Sequence, residues 1–312
     1  MKEFSSKRIL IFIILGIIVF GLIIFYGDYN QISKSLHLIR IETVLILIAL
    51  TFMNYIFRFF KWQYFLKVLG IKTSFTNSFL IFFSGLSMSI TPGKVGEVLK
   101  SYLLKETDKI QVKKSIMIIF TERVTDVIGL GILSLLGISS FFFHLYSIIL
   151  ILFVIVGIIL VLTNRKIFFK LSGIASKFPV IGKYATNLEE VYNSSKSLMS
   201  VKPITFSIGI SVVSWFFECL ALYVLLFSLS SPLSIFQSTF IFSFSSIFGS
   251  VLVLPGGLGA AEGSFLALLV FSGISKSVAA LATIIIRIST LWFGVLLGLI
   301  SLFVLNKRLG KS

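Results

Sequence analysis

Residues 235–272 read IFQSTFIFSFSSIFGSVLVLPGGLGAAEGSFLALLVFS. An uncharged apolar run, 235–254, breaks at Pro255-Gly256-Gly257-Leu258-Gly259, and a second apolar arm, 260–272, holds a single acid, Glu262. At 1.5 Å per residue, an arm of about 13 residues is too short to cross a hydrocarbon core of about 30 Å. Proline removes a backbone N–H and the glycines permit a sharp turn. The stretch therefore reads as a helix–break–helix hairpin that enters and leaves a membrane on one side. Non-helical backbone at that depth survives only where protein buries it or water reaches it. A second stretch has the same form. Residues 75–91 run into Thr91-Pro92-Gly93-Lys94-Val95-Gly96-Glu97, and a short arm follows to Leu104.

The rest of the chain agrees with a membrane setting. Of its 312 residues 57% are hydrophobic and 13% charged, with mean hydropathy +1.06. A soluble domain carries roughly 25% charged residues. Besides the hairpin arms, the apolar segments are 9–27, 43–60, 115–137, 145–163, 204–229 and 277–304. We read an all-α polytopic membrane protein, one integral domain over 1–312, with about six full transmembrane helices and two re-entrant hairpins. The first segment is too long for a signal-peptide core, and Phe25-Tyr26-Gly27-Asp28 offers no cleavage site. The single cysteine, Cys219, excludes a disulfide within the chain.

The net charge of +16 sits mostly in the loops between apolar segments, which points to membrane orientation rather than nucleic acid. With the N-terminus inside, twenty Lys and Arg fall on the inner face and three, Lys34, Arg40 and Lys276, on the outer. Both termini are expected to be cytoplasmic, in a cell membrane. The loop 164–203 is basic and amphipathic, with Phe168, Phe169, Leu171, Ile174 and Phe178 interleaved with Lys170 and Lys177. It reads as an interfacial segment on anionic lipid, with a regulatory or partner surface as the alternative.

The two hairpins belong to a repeat with halves at about 43–137 and 204–304. Pro92-Gly93-x-x-Gly96-Glu97 parallels Pro255-Gly256-Gly257-x-Gly259-x-x-Glu262. Downstream, Arg123-Val124-Thr125 parallels Arg287-Ile288-Ser289, and upstream Arg58 parallels Glu218. The charge-derived topology gives the halves opposite orientations, as in alternating-access transporters with a site at their broken helices.

Ten charges remain at membrane depth: Arg58, Lys94, Lys100, Arg123 and Arg287 against Glu97, Glu122, Asp126, Glu218 and Glu262. A charge at a helix centre costs at least about 2.5–3.5 kcal/mol, so such groups face inward, pair, and mark a pathway. Arg123 and Asp126 share a helix face, which leaves Glu122 to find a second cation or hold a proton. Arg287 needs a partner from elsewhere, whether Glu218, Glu262 or a phosphate matched to its planar fork. The N–H groups opening each half-helix attract anions, while Glu97 and Glu262 either cap those helices or bind a headgroup's amine or hydroxyls. An ion network that only locks the bundle stays open as the alternative. His37 and His144 lack metal-ligand spacing, Gly257-x-Gly259 follows no strand, and no nucleophile–base set is recognisable. No metal, cofactor or catalytic residue is expected. Trp62 and Trp292 read as belt or packing residues.

On Thr91-Pro92-Gly93-Lys94-Val95-Gly96-Glu97, Glu122-Arg123-x-x-Asp126 and Leu254-Pro255-Gly256-Gly257-Leu258-Gly259-x-x-Glu262-Gly263, with Arg58 ahead of Trp62, the chain resembles the flippase-like family. That family is named for the transmembrane domain of lysylphosphatidylglycerol synthase. The resemblance runs from about residue 9 to 305. It implies movement of a polar or phosphate-bearing lipid between leaflets, either an aminoacyl-phospholipid or a polyprenyl-phosphate-linked sugar. The chain stops after its last span, so the synthase's aminoacyl-transferase domain is expected to be absent. Substrate contacts would fall on the residues of the three motifs together with Arg58, Glu218 and Arg287. Two alternatives remain: a scaffold for a lipid-modifying glycosyl- or acyl-transferase, and an embedded enzyme on lipid-linked phosphates.

Overall fold

The computed structural model describes residues 6–92, 95–137, 194–252 and 254–310. The predicted span 145–163 and residues 164–193 of the basic loop 164–203 lie outside them, as do Gly93 and Lys94. Among the described residues the elements are helical. They are α1 (Ser6–Gly27), α2 (Tyr29–Leu36), α3 (Ile41–Val68), α4 (Phe75–Leu86), a 3-10 turn (Val95–Val98), α5 (Leu99–Asp108) and α6 (Val112–Gly137). After the undescribed stretch come α7 (Val201–Ser228), α8 (Ile235–Val251), α9 (Ala260–Phe271), α10 (Lys276–Arg287), a π-helical segment (Ile288–Trp292) and α11 (Phe293–Arg308).

Among the described residues, three helical stretches are long and apolar enough to cross a membrane: Ile41–Val68, Val201–Ser228 and the continuous run Lys276–Arg308. A fourth is the pair α1 and α2, bent by 97°. The bend falls at Asp28, at φ 64°, whose carboxylate accepts from the Asn30 N–H at 3.0 Å. Helix α6 has 26 residues but carries Glu122, Arg123 and Asp126. These elements bear out an all-helical polytopic membrane protein.

Both hairpins fold back on themselves, α4 against α5 and α8 against α9. Serines start their first arms. Ser74 accepts from the Asn77 N–H at 3.2 Å, and Ser234 forms a full capping box with Gln237. At 12 residues, α4 and α9 each span about 18 Å, well short of a bilayer core.

Two stretches of the chain share a helical register. Helices α3 and α7 each have 28 residues, and every boundary from Ile41 to the Ser74 cap recurs 160 positions later. The exchange extends to packing, with α4 on α11 and α8 on α6. Two contacts join equivalent positions directly. Asn54 Nδ2 donates to the Ser214 carbonyl at 2.8 Å, and a lone antiparallel bridge joins Pro92 to Pro255 at the hairpin tips. Helices α3 and α7 lie close because α7 turns Ser207, Ser211 and Ser214 inward, and small side chains let backbones approach.

Candidate functional site

The polar side of α3 builds one wall of the site. Thr51, Asn54, Tyr55, Arg58, Lys61 and Trp62 recur at helical spacing and are all buried. Lys61 corrects the sequence reading. It counted there among the cytoplasmic loop charges, since the apolar segment was ended at residue 60. Helix α3 instead runs to Val68 and Lys61 is fully buried. Its Nζ lies 2.5 Å from Asp126 Oδ1, 2.8 Å from Ser211 Oγ and 3.2 Å from Thr125 Oγ1. Spacing held the signal, because Lys61 is one turn on from Arg58 on the face that carries Asn54.

Asp126 is the hub. Besides Lys61 it meets Arg123 Nη2 at 3.2 Å, Ser211 Oγ at 3.2 Å and Arg58 Nε at 3.9 Å. Arg123 also reaches Glu97 Oε2 at 3.2 Å, so the expected i,i+3 pair exists and is shared with the first hairpin. Glu122 finds its second cation in Lys100, which sits 3.6 Å from Glu97 as well. The Lys100 ammonium lies over the rings of Trp62 and Phe82, at 4.8 and 5.3 Å. Trp62 is thus a packing residue, and it donates to Ser78 Oγ at 3.0 Å. Gly96 leaves room for Thr91, whose hydroxyl accepts from the Gly96 N–H at 2.8 Å.

Arg287 takes Glu262. Its Nε is 2.5 Å from Glu262 Oε1, and its Nη2 donates to the Gly256 carbonyl at 2.8 Å. The other Glu262 oxygen caps α9 by accepting from the Gly259 N–H at 2.8 Å. Glu262 thus caps α9 and pairs with Arg287 through one side chain. The glycines of this turn adopt φ values of 60°, 68° and 84° at Gly256, Gly257 and Gly259, where a side chain is strained. A pattern common to both halves follows: the arginine of the third helix holds the glutamate beside its own Pro-Gly turn, Arg123 with Glu97 and Arg287 with Glu262.

Between the hairpin tips lies a cavity of about 180 Å³. Arg58, Arg123 and Arg287 line it together with Asp126 and Glu218, while Ser89, Ser246, Gly256 and Gly257 complete the polar edge. Of the predicted residues described, Arg58, Arg123, Asp126, Glu218, Gly256, Gly257 and Arg287 face this space. Glu97, Glu122 and Lys100 stand behind it as counter-ions, and Pro92, Gly96, Pro255, Gly259 and Glu262 shape the turns. Tyr55, Trp215 and Thr290 also line it and went unnoticed in the sequence. Tyr55 Oη donates to the Thr290 carbonyl at 2.5 Å, inside the π-helical segment that directly follows Arg287. Among the cavity residues, Arg58 Nε and Arg123 Nε and Nη2 are buried donors without a hydrogen-bond acceptor, and Asp126 Oδ2, which forms ion pairs with both arginines, is a buried acceptor without a donor. With Lys61 counted, five described cations face five acids. Among the described residues no group of His, Cys, Asp and Glu could hold a metal ion.

A family profile described as the lysylphosphatidylglycerol synthase TM region matches residues 13–298. A UPF0104 membrane protein of Methanocaldococcus jannaschii is 25% identical over 335 residues, covering 100% of this chain and 99% of its own. A second from that organism is 30% identical over 239 residues, 72% of this chain and 96% of its own. A UPF0104 membrane protein of Pyrococcus horikoshii is 23% identical, covering 95% of this chain and 96% of its own.

Proposed function

We propose a function from one premise: this chain belongs to the family of the lysylphosphatidylglycerol synthase transmembrane region. It is a multi-pass membrane protein, and on our reading it moves a lipid with a phosphate-bearing headgroup between leaflets. One observation carries this. Two arginines with buried donors that lack acceptors line a cavity set between two broken helices. Buried polar groups are nearly always satisfied, so such donors call for an anion of suitable shape. A guanidinium fork matches a phosphate. Asp126 and Glu218 then suit the amine or hydroxyls of the headgroup. At about 180 Å³ the cavity is below the roughly 300 Å³ of a whole-ligand pocket, which keeps the apolar chain in the bilayer.

Transport on this reading comes from an inverted repeat whose hairpins re-enter the membrane from opposite faces. The common offset of 160 and the contacts between equivalent positions support it. Both termini would be cytoplasmic and the basic loop 164–203 would lie on anionic lipid. Cargo candidates are an aminoacyl-phospholipid and a polyprenyl-phosphate-linked sugar. The test is a reconstituted vesicle assay with fluorescent or aminoacylated lipids, comparing wild type with Arg287→Ala and Glu122→Gln. Both variants should slow lipid movement at least tenfold while still eluting as folded protein. Equal rates in all three would remove the proposal.

One observation favours a scaffold for a lipid-modifying transferase instead. Glu97, Glu122, Asp126 and Glu262 already hold cations, as a purely structural lock would. In that case charge-neutral changes at Arg123 and Arg287 leave function intact, and surface changes in 164–203 abolish it.

A further inference from the structure

The cavity is not evenly enclosed. Its exposed lining residues are Ser250 and Leu254, with Arg123, Val127 and Ser246 half-buried beside them, while Arg287, the counterpart of Arg123, is partly buried as well. These outline a mouth between α6 and the end of α8. The internal repeat identifies what stands at the matching place in the other half. Counted along the first arms from the Ser74 and Ser234 caps, the offset of 160, which grows to 163 at Pro92 and Pro255, takes Ser246 and Ser250 back to Leu86 and Ile90, and the 164 positions between Arg123 and Arg287 take Val127 on to Leu291. Those counterparts are shut, with Leu86 at 3% exposure, Ile90 at 0% and Leu291 at 9%. Ile90 and Leu291 pack with Leu258 and Val295 into an apolar plug, against which α1 lays Phe12, Leu15 and Val19.

The backbone differs in the same sense. After α4, Ser87, Met88, Ser89 and Thr91 each bond three residues back, tightening the tip. The matching residues of the second half stay α-helical to Val251. Gly298 allows α11 to close on the tightened tip, since a Cβ there would lie 2.8 Å from Ser87 Cα and 2.9 Å from the Leu86 carbonyl carbon.

We infer that mouth and plug are the two ports of a single pathway, one open and one shut. This rests on the lipid-moving reading and adds where the lipid passes. At the open port, Ser246, Ser250 and Arg123 offer hydroxyls and a cation to the headgroup. Leu254 lies beside them for the apolar chain. The shut port is packed with apolar side chains, which seals the cavity against water and ions. In the opposite state the plug parts, and the end of α8 takes the tightened form that buries Ser250 against α6. Inverted repeats exchange places across an axis in the membrane plane, so the two ports face opposite leaflets.

The test uses the full chain with Cys219→Ala, reconstituted in sealed vesicles, carrying either Ser250→Cys or Ile90→Cys. A membrane-impermeant maleimide is applied from either face. Ser250→Cys should react from one face and Ile90→Cys slowly from the other. Adding Leu291→Ala hollows the plug, and should speed Ile90→Cys labelling about tenfold or more while slowing Ser250→Cys. The complementary pair Ser246→Leu and Ser250→Ile copies the counterpart residues Leu86 and Ile90 onto the mouth, and should also speed Ile90→Cys. Rates that rise together, stay unchanged in both backgrounds, or report one face for both sites would overturn the inference. Reciprocal labelling without lipid movement would keep the ports and sink the lipid reading; lipid movement without reciprocity would do the reverse.

Discussion

Lys61 is where a single substitution separates a buried network from a solvated loop. Its ammonium is fully buried and has three oxygen partners, with Asp126 Oδ1 at 2.5 Å. Removing one member of a buried ion pair costs about 3–5 kcal/mol, because the other charge is left behind. Asp126 keeps Arg123 at 3.2 Å and Arg58 at 3.9 Å, so Lys61→Met belongs at the lower end, about 3 kcal/mol. Asp126→Asn instead strips the shared acid from three cations, and belongs at the upper end, about 5 kcal/mol. In the double variant neither charge is left alone, so its loss should fall short of the sum by about 2 kcal/mol. Reversible unfolding in mixed detergent micelles measures all three. If Lys61→Met lies within about 0.5 kcal/mol of wild type, as a surface lysine would, the buried hub is wrong and the loop assignment returns.

The second Pro-Gly turn gives a paired prediction in the same unfolding assay. Gly257→Ala places a side chain at φ 68° with its Cβ 3.1 Å from the Gly249 carbonyl oxygen, and should cost at least about 1–2 kcal/mol. Gly263→Ala meets nothing within 4 Å and should be neutral or slightly stabilising. Glu262→Gln can still cap the Gly259 N–H but loses the charge opposite Arg287, so it should cost about 2–3 kcal/mol. Glu262→Ala should cost about 1 kcal/mol more for the lost cap; equal losses would show that the cap contributes nothing.

Much of this architecture was legible in the chain because bilayer physics is written in long blocks. Uncharged runs of about 20 residues fix where helices cross, and Pro-Gly breaks with short second arms fix where they fold back. The arginines and acids at depth were also legible, since each is costly in hydrocarbon and conspicuous for it. Lys61 was missed for a related reason. A charge at the end of an apolar run looks like the start of a loop, and only the helical continuation to Val68 carries it back under protein.

Partner choice was not legible. The sequence left Arg287 with Glu218, Glu262 or a phosphate, and Glu122 with a cation or a proton. Those choices depend on which helices lie side by side, and ion pairs act over a few ångströms in space, whatever the separation along the chain. The fold brings α5 to α6 and so gives Lys100 to Glu122, and brings the turn before α9 to Arg287. Composition and local breaks therefore determined that the protein is a helical membrane bundle with two interrupted hairpins. Only tertiary packing decided which charges neutralise one another, which arginine donors are buried without an acceptor, and which residues line the cavity.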